Sequence, residues 1–285
     1  LNSLNPPYVI KADGLAAGKG VLILTDLNEA KQSLEKMILK KKFGQASERV
    51  VIEEYLNGIE VSSFVLTDGD SYKIFPMAKD YKRIGVGDTG LNTGGMGAIS
   101  PVPFVDQKLY QKIENQIIQP TINGLKKDKI DYTGFLFIGL MIVKNEPYVI
   151  EYNVRLGDPE TEAILPRIES DLLEIFLQLK SSQLQTSNLK VSDLFSTTVM
   201  TVSKGYPEKY EKGKIITGLD CKNESFLFHS GTKIEGQNIV TSGGRVIAVT
   251  SVDKSLKKAL GKSYNTISKI DFDGKTCRND IGFDL

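Results

Sequence analysis

The stretch KADGLAAGKGV, residues 11–21, decides how this chain is to be read. Gly14, Gly18 and Lys19 nearly reproduce the phosphate-binding pattern G-x-x-x-x-G-K-[ST]. The spacing is one residue short, however, and Gly20 stands where a Ser or Thr hydroxyl should reach magnesium. The flanks settle the matter. PPYVI before the run and GVLILT after it both read as short strands, whereas a P-loop leads from a strand into a helix. The glycine run is therefore a strand-to-strand loop. Two readings of it stand at this point: backbone N–H groups and lysines gripping phosphate oxygens, or a mobile hairpin tip.

Outward from the loop, a helix is expected behind Asp26, which caps it with Glu29 three residues on. Ala30, Leu34, Met37 and Ile38 form its apolar stripe. VVIEEYL, EVSSFVLTDG and SYKIFPMAK read as strands, the last two joined through Asp68-Gly69-Asp70. Residues 85–97, GVGDTGLNTGGMG, hold six glycines and cannot pack a core of their own. A helix of about 20 residues follows, with Leu109, Ile113 and Ile117 in step, and Pro120 is expected to kink or split it. FLFIGLMIV and PYVIEYNV form a hairpin through Lys144-Asn145-Glu146-Pro147. After SDLLEIFLQLKSS the polar stretch QTSNLKVSD reads as a linker. The pattern then changes to short strands, turns and one terminal helix, so a domain boundary is placed near residue 190.

The totals are those of an ordinary globular protein of two or three domains: 285 residues, 40% hydrophobic and 25% charged. With 36 Lys and Arg against 35 Asp and Glu, there is no charge excess to suggest a nucleic-acid or membrane partner. Cys221 and Cys277 share no C-x-x-C spacing, which points to a reduced, cytoplasmic setting. His229 is the sole histidine, which excludes a His-rich zinc site, and its expected role is a hydrogen bond within the HSGTK turn. The sequence begins at Leu1 and enters a strand almost at once, which reads as the C-terminal portion of a longer protein.

Chemistry concentrates in VIEYNVRLGDPETEA, residues 149–163. Glu151, Asn153 and Arg155 alternate along a strand and so share one face. A carboxylate, a carboxamide and a guanidinium in a row suit a magnesium–phosphate centre. The same row also suits the polar face of an edge strand closed by an Arg–Glu pair. In VVIEEYLNGIE, Glu53, Glu54 and Glu60 flank a strand end, where a carboxylate can accept ribose hydroxyls; solvated acidic residues explain them equally simply. Lys79, Asp80, Lys82 and Arg83 precede the second glycine-rich run, either as a cationic cover for an anionic substrate or as a charged loop.

Together, IKADGLAAGKGV, VIEEYLNGIE, NTGGMGAISP, TGFLFIGLMI and VIEYNVRLGDPETEA resemble the phosphoribosylamine–glycine ligase (glycinamide ribonucleotide synthetase) family of ATP-grasp ligases. TSGGRVIAVT and CRNDIG resemble that family's C-terminal domain, and the resemblance runs along nearly the whole chain. It implies an α+β, ATP-grasp fold: a lid subdomain over residues 1–75, a central antiparallel-sheet subdomain over 76–190, and a small C-terminal α/β domain over 191–285. It also implies an N-terminal Rossmann-like domain that this sequence lacks. The implied reaction joins glycine to 5-phosphoribosylamine, using ATP with Mg²⁺ or Mn²⁺. The implied partners are those small molecules, with no nucleic acid and no membrane, in a monomer or weak dimer.

By the same resemblance, Lys11 contacts ATP on its adenine and phosphate side, while Gly18, Lys19 and Gly20 cover the phosphates. Glu53, Glu54, Tyr55 and Leu56 form the adenine-side hinge, with Glu60 on the ribose. Glu151 and Asn153 hold the metal, and Arg155 steadies the transferring phosphoryl group. Asp158 and the Asn92, Thr93, Gly94, Gly95 loop shape the substrate end, with Arg278 facing it from the C-terminal domain. Other readings are a related ligase acting on a different carboxylate, or a fragment that binds nucleotide without turnover.

Overall fold

The structure is a computed structural model and describes residues 1–285 except 15, 17–19, 182, 222 and 223. Gly18 and Lys19 thus lie outside the described residues. The chain folds as two compact units, Leu1–Gly58 and Ile59–Leu285.

In the first unit, β1 (Tyr8–Ala12), β2 (Val21–Leu24) and β3 (Val50–Glu54) form an antiparallel sheet in the order β2-β1-β3. Helix α1 (Leu27–Ile38) covers one face, burying Ala30 and Met37 against Tyr8 and Ile10. Asp26 caps it as expected, its carboxylate accepting the Glu29 N–H at 2.8 Å. Ile38 departs from the expected stripe and is exposed at the helix end. The opposite sheet face carries Lys11, Val21, Ile23, Val51 and Glu53, placed there by the strand register.

The second unit begins with β4 (Ile59–Thr67) and β5 (Tyr72–Asp80), followed by the short strands β6 (Arg83–Gly85), β7 (Thr89–Asn92) and β8 (Gly97–Ser100). The turn between β4 and β5 is the expected one. Asp68 accepts the N–H groups of Asp70 and Ser71, and Gly69 takes the positive φ of 93° that such a tight reversal needs. Helices α2 (Gln107–Ile113) and α3 (Gln119–Lys127) then run as one helical stretch, joined by a π turn at Glu114–Ile118. Pro120 has no N–H and crowds the carbonyl one turn back; the wider π turn takes up that conflict, so the stretch is not broken.

Strands β9 (Gly134–Val143) and β10 (Glu146–Asn153) form the expected hairpin. Lys144 and Asn145 both have positive φ, as a two-residue turn matching strand twist requires. Helices α4 (Glu160–Ile164) and α5 (Leu172–Lys180) follow. The remainder is β11 (Phe195–Ser203), β12 (Ser225–His229), β13 (Thr232–Glu235), β14 (Asn238–Thr241), β15 (Arg245–Asp253), α6 (Leu256–Ile267) and β16 (Lys275–Cys277). His229 Nδ1 lies 3.0 Å from Thr232 Oγ1, the turn hydrogen bond anticipated for it.

One antiparallel sheet runs through this whole unit in the order β10-β9-β4-β5-β8-β11-β15-β12, with β16 added on β11. The boundary expected at residue 75 lies inside β5. The one expected near 190 is bridged by β8, which pairs with both β5 and β11. QTSNLKVSD is no free linker either: buried Arg167 donates to Ser192 O and Leu194 O and to the Ser100 hydroxyl. The sheet's first half has two distinct faces. Val61, Val65, Ile138 and Leu140 pack under α2 and α3, whereas Phe64, Leu66, Phe75 and Phe137 pack against Ile164 of α4 and Ile175 of α5. Each such buried side chain contributes about 1.5–3 kcal/mol. The second face, followed toward the other end of β4, is where the polar groups collect.

Candidate active site

Strand alternation dictates the collection. Glu60 and Ser62 share the Phe64 face of β4, and Ser62 sits opposite Gly139 on β9 and Ala78 on β5. Glu151 and Asn153 of β10 sit opposite Gly139 and Phe137. Tyr152 between them points to the other face, its hydroxyl 2.9 Å from Thr121 Oγ1 in α3. Gly139 is needed here: a Cβ on it would come within 2.8 Å of Glu151 Cγ, so its bare backbone lets Glu151 lie across the sheet. Strand β10 ends at Asn153, so Arg155 lies beyond the row predicted for it. Arg155 is exposed, its Nη1 donating to Leu156 O at 2.7 Å.

The charges on this face are mutually dependent. Lys82 Nζ donates to Glu60 Oε2 at 2.7 Å, and Ser62 Oγ donates to buried Glu160 at 2.9 Å. Burial works against the Lys82 ammonium, but the carboxylates of Glu60, Asp80 and Glu151 outweigh it and hold the proton more firmly than usual. Burial and the charge of Glu160 push Asp80 well above the ordinary carboxylate range, and its Oδ1 has no hydrogen-bond partner among the described residues. Burial also raises Glu160. Burial, reinforced by Asp158, lifts Glu162 to about 7, and its Oε2 is likewise buried without a partner among the described residues.

The NTGGMG loop is stitched to these groups. Asn92 is exposed at the end of β7, opposite Arg83. Thr93 donates through both its N–H and its hydroxyl to Lys82 O, at 2.8 Å each. Gly94 donates to the Tyr206 hydroxyl at 2.9 Å and accepts from Arg245 at 2.6 Å. Gly95 has φ 112°, and a Cβ there would lie 2.3 Å from Pro159 Cδ. Asp158 Oδ1 is 3.0 Å from Arg245 Nη1.

Arg278, expected to face the substrate, is 1% exposed and donates to Asp280, Asp88 and Arg83 O, with Tyr81 and Phe283 flanking its guanidinium. A guanidinium so fully engaged acts as a structural clamp. Sequence reasoning read Asp80 and Lys82 only as part of a charged run before the glycine-rich loop, and left Glu160, Glu162, Tyr206 and Arg245 without a role. KDYKR and GGR were visible as motifs, but nothing local tied them to this face.

In the first unit, Lys11 Nζ pairs with Glu53 at 2.6 Å on the uncovered sheet face, beside exposed Val21, Ile23 and Val51. Gly20 is buried, with no room for a Cβ against Ala16, 2.7 Å away. At the end of β3 Glu54 is exposed, and beyond it Tyr55 is exposed and Leu56 half-buried.

No group of three or more His, Cys, Asp or Glu among the described residues forms a self-sufficient metal cage. Glu151 and Asn153 instead offer two hard oxygen donors on a face with several carboxylates and one ammonium. That set fits a magnesium-type ion, which takes few protein ligands and completes its shell with phosphates and water. No helix among the described residues is long and apolar enough to cross a membrane.

Residues 1–161 match the family described as phosphoribosylglycinamide synthetase, ATP-grasp (A) domain, and residues 196–284 match the C domain of the same synthetase. The chain is 46% identical over 279 residues to a phosphoribosylamine–glycine ligase of Chlorobaculum tepidum, covering 97% of this chain and 66% of that protein. It is 48% identical to a bifunctional purine biosynthetic protein of Pichia angusta, covering 96% of this chain and 35% of that protein. It thus spans about two thirds or less of these relatives' lengths. The crystal structure of phosphoribosylamine–glycine ligase from Thermotoga maritima superimposes with a TM-score of 0.91 at 38% identity, covering 98% of this chain and 70% of that one. The biotin carboxylase domain of a Hydrogenobacter thermophilus 2-oxoglutarate carboxylase, 12% identical at a TM-score of 0.72, shares the fold alone; 96% of this chain and 59% of that one are covered. On the strength of both domain matches and these relatives, the chain belongs to the phosphoribosylglycinamide synthetase family.

Proposed function

We propose that this chain handles ATP and glycine in the ligation of glycine to 5-phosphoribosylamine, which yields glycinamide ribonucleotide, ADP and phosphate. The observation that carries the reading is the gathering of Glu60, Lys82, Glu151 and Asn153 on one sheet face beside Glu160 and Asp158. Family membership and the ligase names of the relatives support it. A carboxylate is a poor electrophile, so a glycine oxygen first attacks the γ-phosphorus of ATP and ADP leaves. The amine of phosphoribosylamine then attacks the glycyl carbon, phosphate departs with that oxygen, and the amine loses a proton.

Such a transfer needs positioning and charge neutralisation more than covalent help. Lys11, with Lys19 and the backbone of Gly18 and Gly20, takes the phosphates, while Glu53, Glu54, Tyr55 and Leu56 take the adenine side. Glu60 keeps one oxygen on Lys82 and has the other for ribose hydroxyls. Arg155, whose guanidinium donates to Leu156 O, stabilises the transferring phosphoryl group. Glu151 and Asn153 would hold Mg²⁺ or Mn²⁺, which when bound neutralises phosphate charge. Asn92 to Gly95 and Asp158 shape the glycine end. We read the protein as cytoplasmic and as a monomer or weak dimer.

The test is ADP release by the full-length protein with ATP, Mg²⁺, glycine and freshly generated phosphoribosylamine. Release that requires both glycine and the amine supports the reading. Release triggered by another carboxylate, or ATP binding without turnover, overturns it.

A further inference from the structure

Strand β5 changes partners at its far end. Its pairing with β4 reaches Ala78, opposite Ser62, and it then pairs with β8, Lys79 opposite Ile99 and Asp80 opposite Ala98. Tyr81 prolongs that contact, its N–H donating to Gly97 O at 3.0 Å and its carbonyl accepting from Met96 at 2.8 Å. So short a ladder fixes register weakly, and a slip of one residue would turn every side chain to the opposite face. Yet the next residue, Lys82, has to meet Glu60 at 2.7 Å on the polar face.

The other side of this segment is held from far along the chain. Lys79 and Tyr81 alternate with Asp80 and Lys82, and both turn toward Asp284. The Tyr81 hydroxyl donates to Asp284 Oδ1 at 2.8 Å, and Lys79 Nζ lies 3.1 Å from Oδ2. Each oxygen of the carboxylate thus takes one of the two. Lys79 and Tyr81 are buried, and shielding from water strengthens both contacts. Burial and the Asp284 acceptor also push the Tyr81 hydroxyl well above its ordinary pKa, so it remains a donor. The ring itself is boxed, with Lys79 Nζ 4.9 Å from its centroid, Arg278 Cζ at 5.4 Å and the Phe283 ring at 6.2 Å. Asp284, Arg278 and Phe283 fall in the C-domain match, whereas Lys79, Tyr81 and Lys82 fall in the ATP-grasp match.

We propose that Asp284 is a positioning residue through which the C domain sets the ribose grip of Glu60 and Lys82. By latching Lys79 and Tyr81, it holds Lys82 in the register that pairs it with Glu60. The second Glu60 oxygen is thereby kept for ribose hydroxyls. The inference rests on the ligase reading above and gives the C domain a part in selecting the nucleotide.

The test uses the full-length protein and compares ATP with 2′-deoxy-ATP in glycine- and phosphoribosylamine-dependent nucleotide turnover. Asp284→Asn keeps the shape but removes the charge, and Tyr81→Phe removes only the hydroxyl. Each is expected to raise the ATP KM by about fivefold and to shrink the preference for ATP over 2′-deoxy-ATP similarly, with the glycine KM within about twofold. Asp284→Glu, which keeps both acceptors, should recover part of the loss. In a Lys82→Met background Asp284→Asn should add nothing further, because both act on one grip. An additive loss in that double variant overturns the proposal. So does a lower Tm with an unchanged preference for ATP, which marks a purely structural role. A wild type that uses both nucleotides equally well overturns the Glu60 assignment and the latch with it. Wild-type inactivity with glycine overturns the ligase reading and this inference together. Wild-type preference for ATP that survives intact in Asp284→Asn and Tyr81→Phe overturns the latch alone.

Discussion

Glu162 shows what the site costs the fold at the level of one residue. Its folded-state pKa of about 7 lies above the ordinary value of 4.5, chiefly through burial. Between those two values the folded state binds more protons than the unfolded state, so stability falls as pH rises through this window and levels off above it. We predict that Glu162→Gln stabilises the protein at pH 8 by about 1–2 kcal/mol, allowing for its partial solvent access, and by much less at pH 5. Melting curves at the two pH values check this, and an equal gain at both would contradict it. Gly95 carries the opposite kind of constraint. Its φ of 112° and the 2.3 Å approach to Pro159 Cδ make Gly95→Ala cost about 1–3 kcal/mol, measured by denaturant unfolding, with activity falling as the loop shifts. Glu151 is exposed, so Glu151→Gln should leave stability within about 0.5 kcal/mol of the parent while lowering ADP release by about 100-fold or more. Residue-scale features written in neighbouring sequence were legible, such as the Asp26 cap, the Asp68 turn and the His229–Thr232 contact. Asp80 and Arg245 were not, because Arg245 meets Gly94 across 151 residues of chain and no local pattern encodes that approach.

Among the elements, hairpins were read well where glycine, Asp or Asn supplied the turn chemistry, as between β9 and β10. The long helix was read by its apolar spacing. What propensity could not foresee was that a π turn would carry Pro120 without a break, since this depends on how Ile117, Ile118 and Ile122 seat against the sheet. The β6–β7 hairpin owes its place to residues far along the chain: Asp280 accepts the Gly87 N–H at 2.7 Å, and Arg278 Nη1 reaches Asp88 at 2.6 Å and Arg83 O at 3.0 Å. Removing the cation would leave Asp280 largely buried without its counter-charge. We expect Arg278→Met to cost about 3 kcal/mol in thermal or denaturant unfolding, with loss of activity following from displacement of the hairpin. A variant of undiminished stability that nonetheless loses phosphoribosylamine affinity would return Arg278 to the substrate site.

For the molecule as a whole, the ATP-grasp architecture and the order of its motifs were legible because the motifs are long and local. The break placed near residue 190 falls between the two family-domain matches, at residues 1–161 and 196–284. A sequence gives little sign, however, that β8 will pair with both β5 and β11 and so carry one continuous sheet across that break. That continuity is also what lets Tyr206 and Arg245 reach the Gly94 loop. The central claim is that a glycine carboxylate is activated by phosphoryl transfer on the Glu151–Asn153 face before amide formation. The most direct measurement follows oxygen from glycine labelled with ¹⁸O in its carboxylate, using the full-length protein with ATP, Mg²⁺ and phosphoribosylamine. We predict one labelled oxygen in each phosphate released and the other in the amide product. Unlabelled phosphate formed alongside the amide would contradict the acyl-phosphate route.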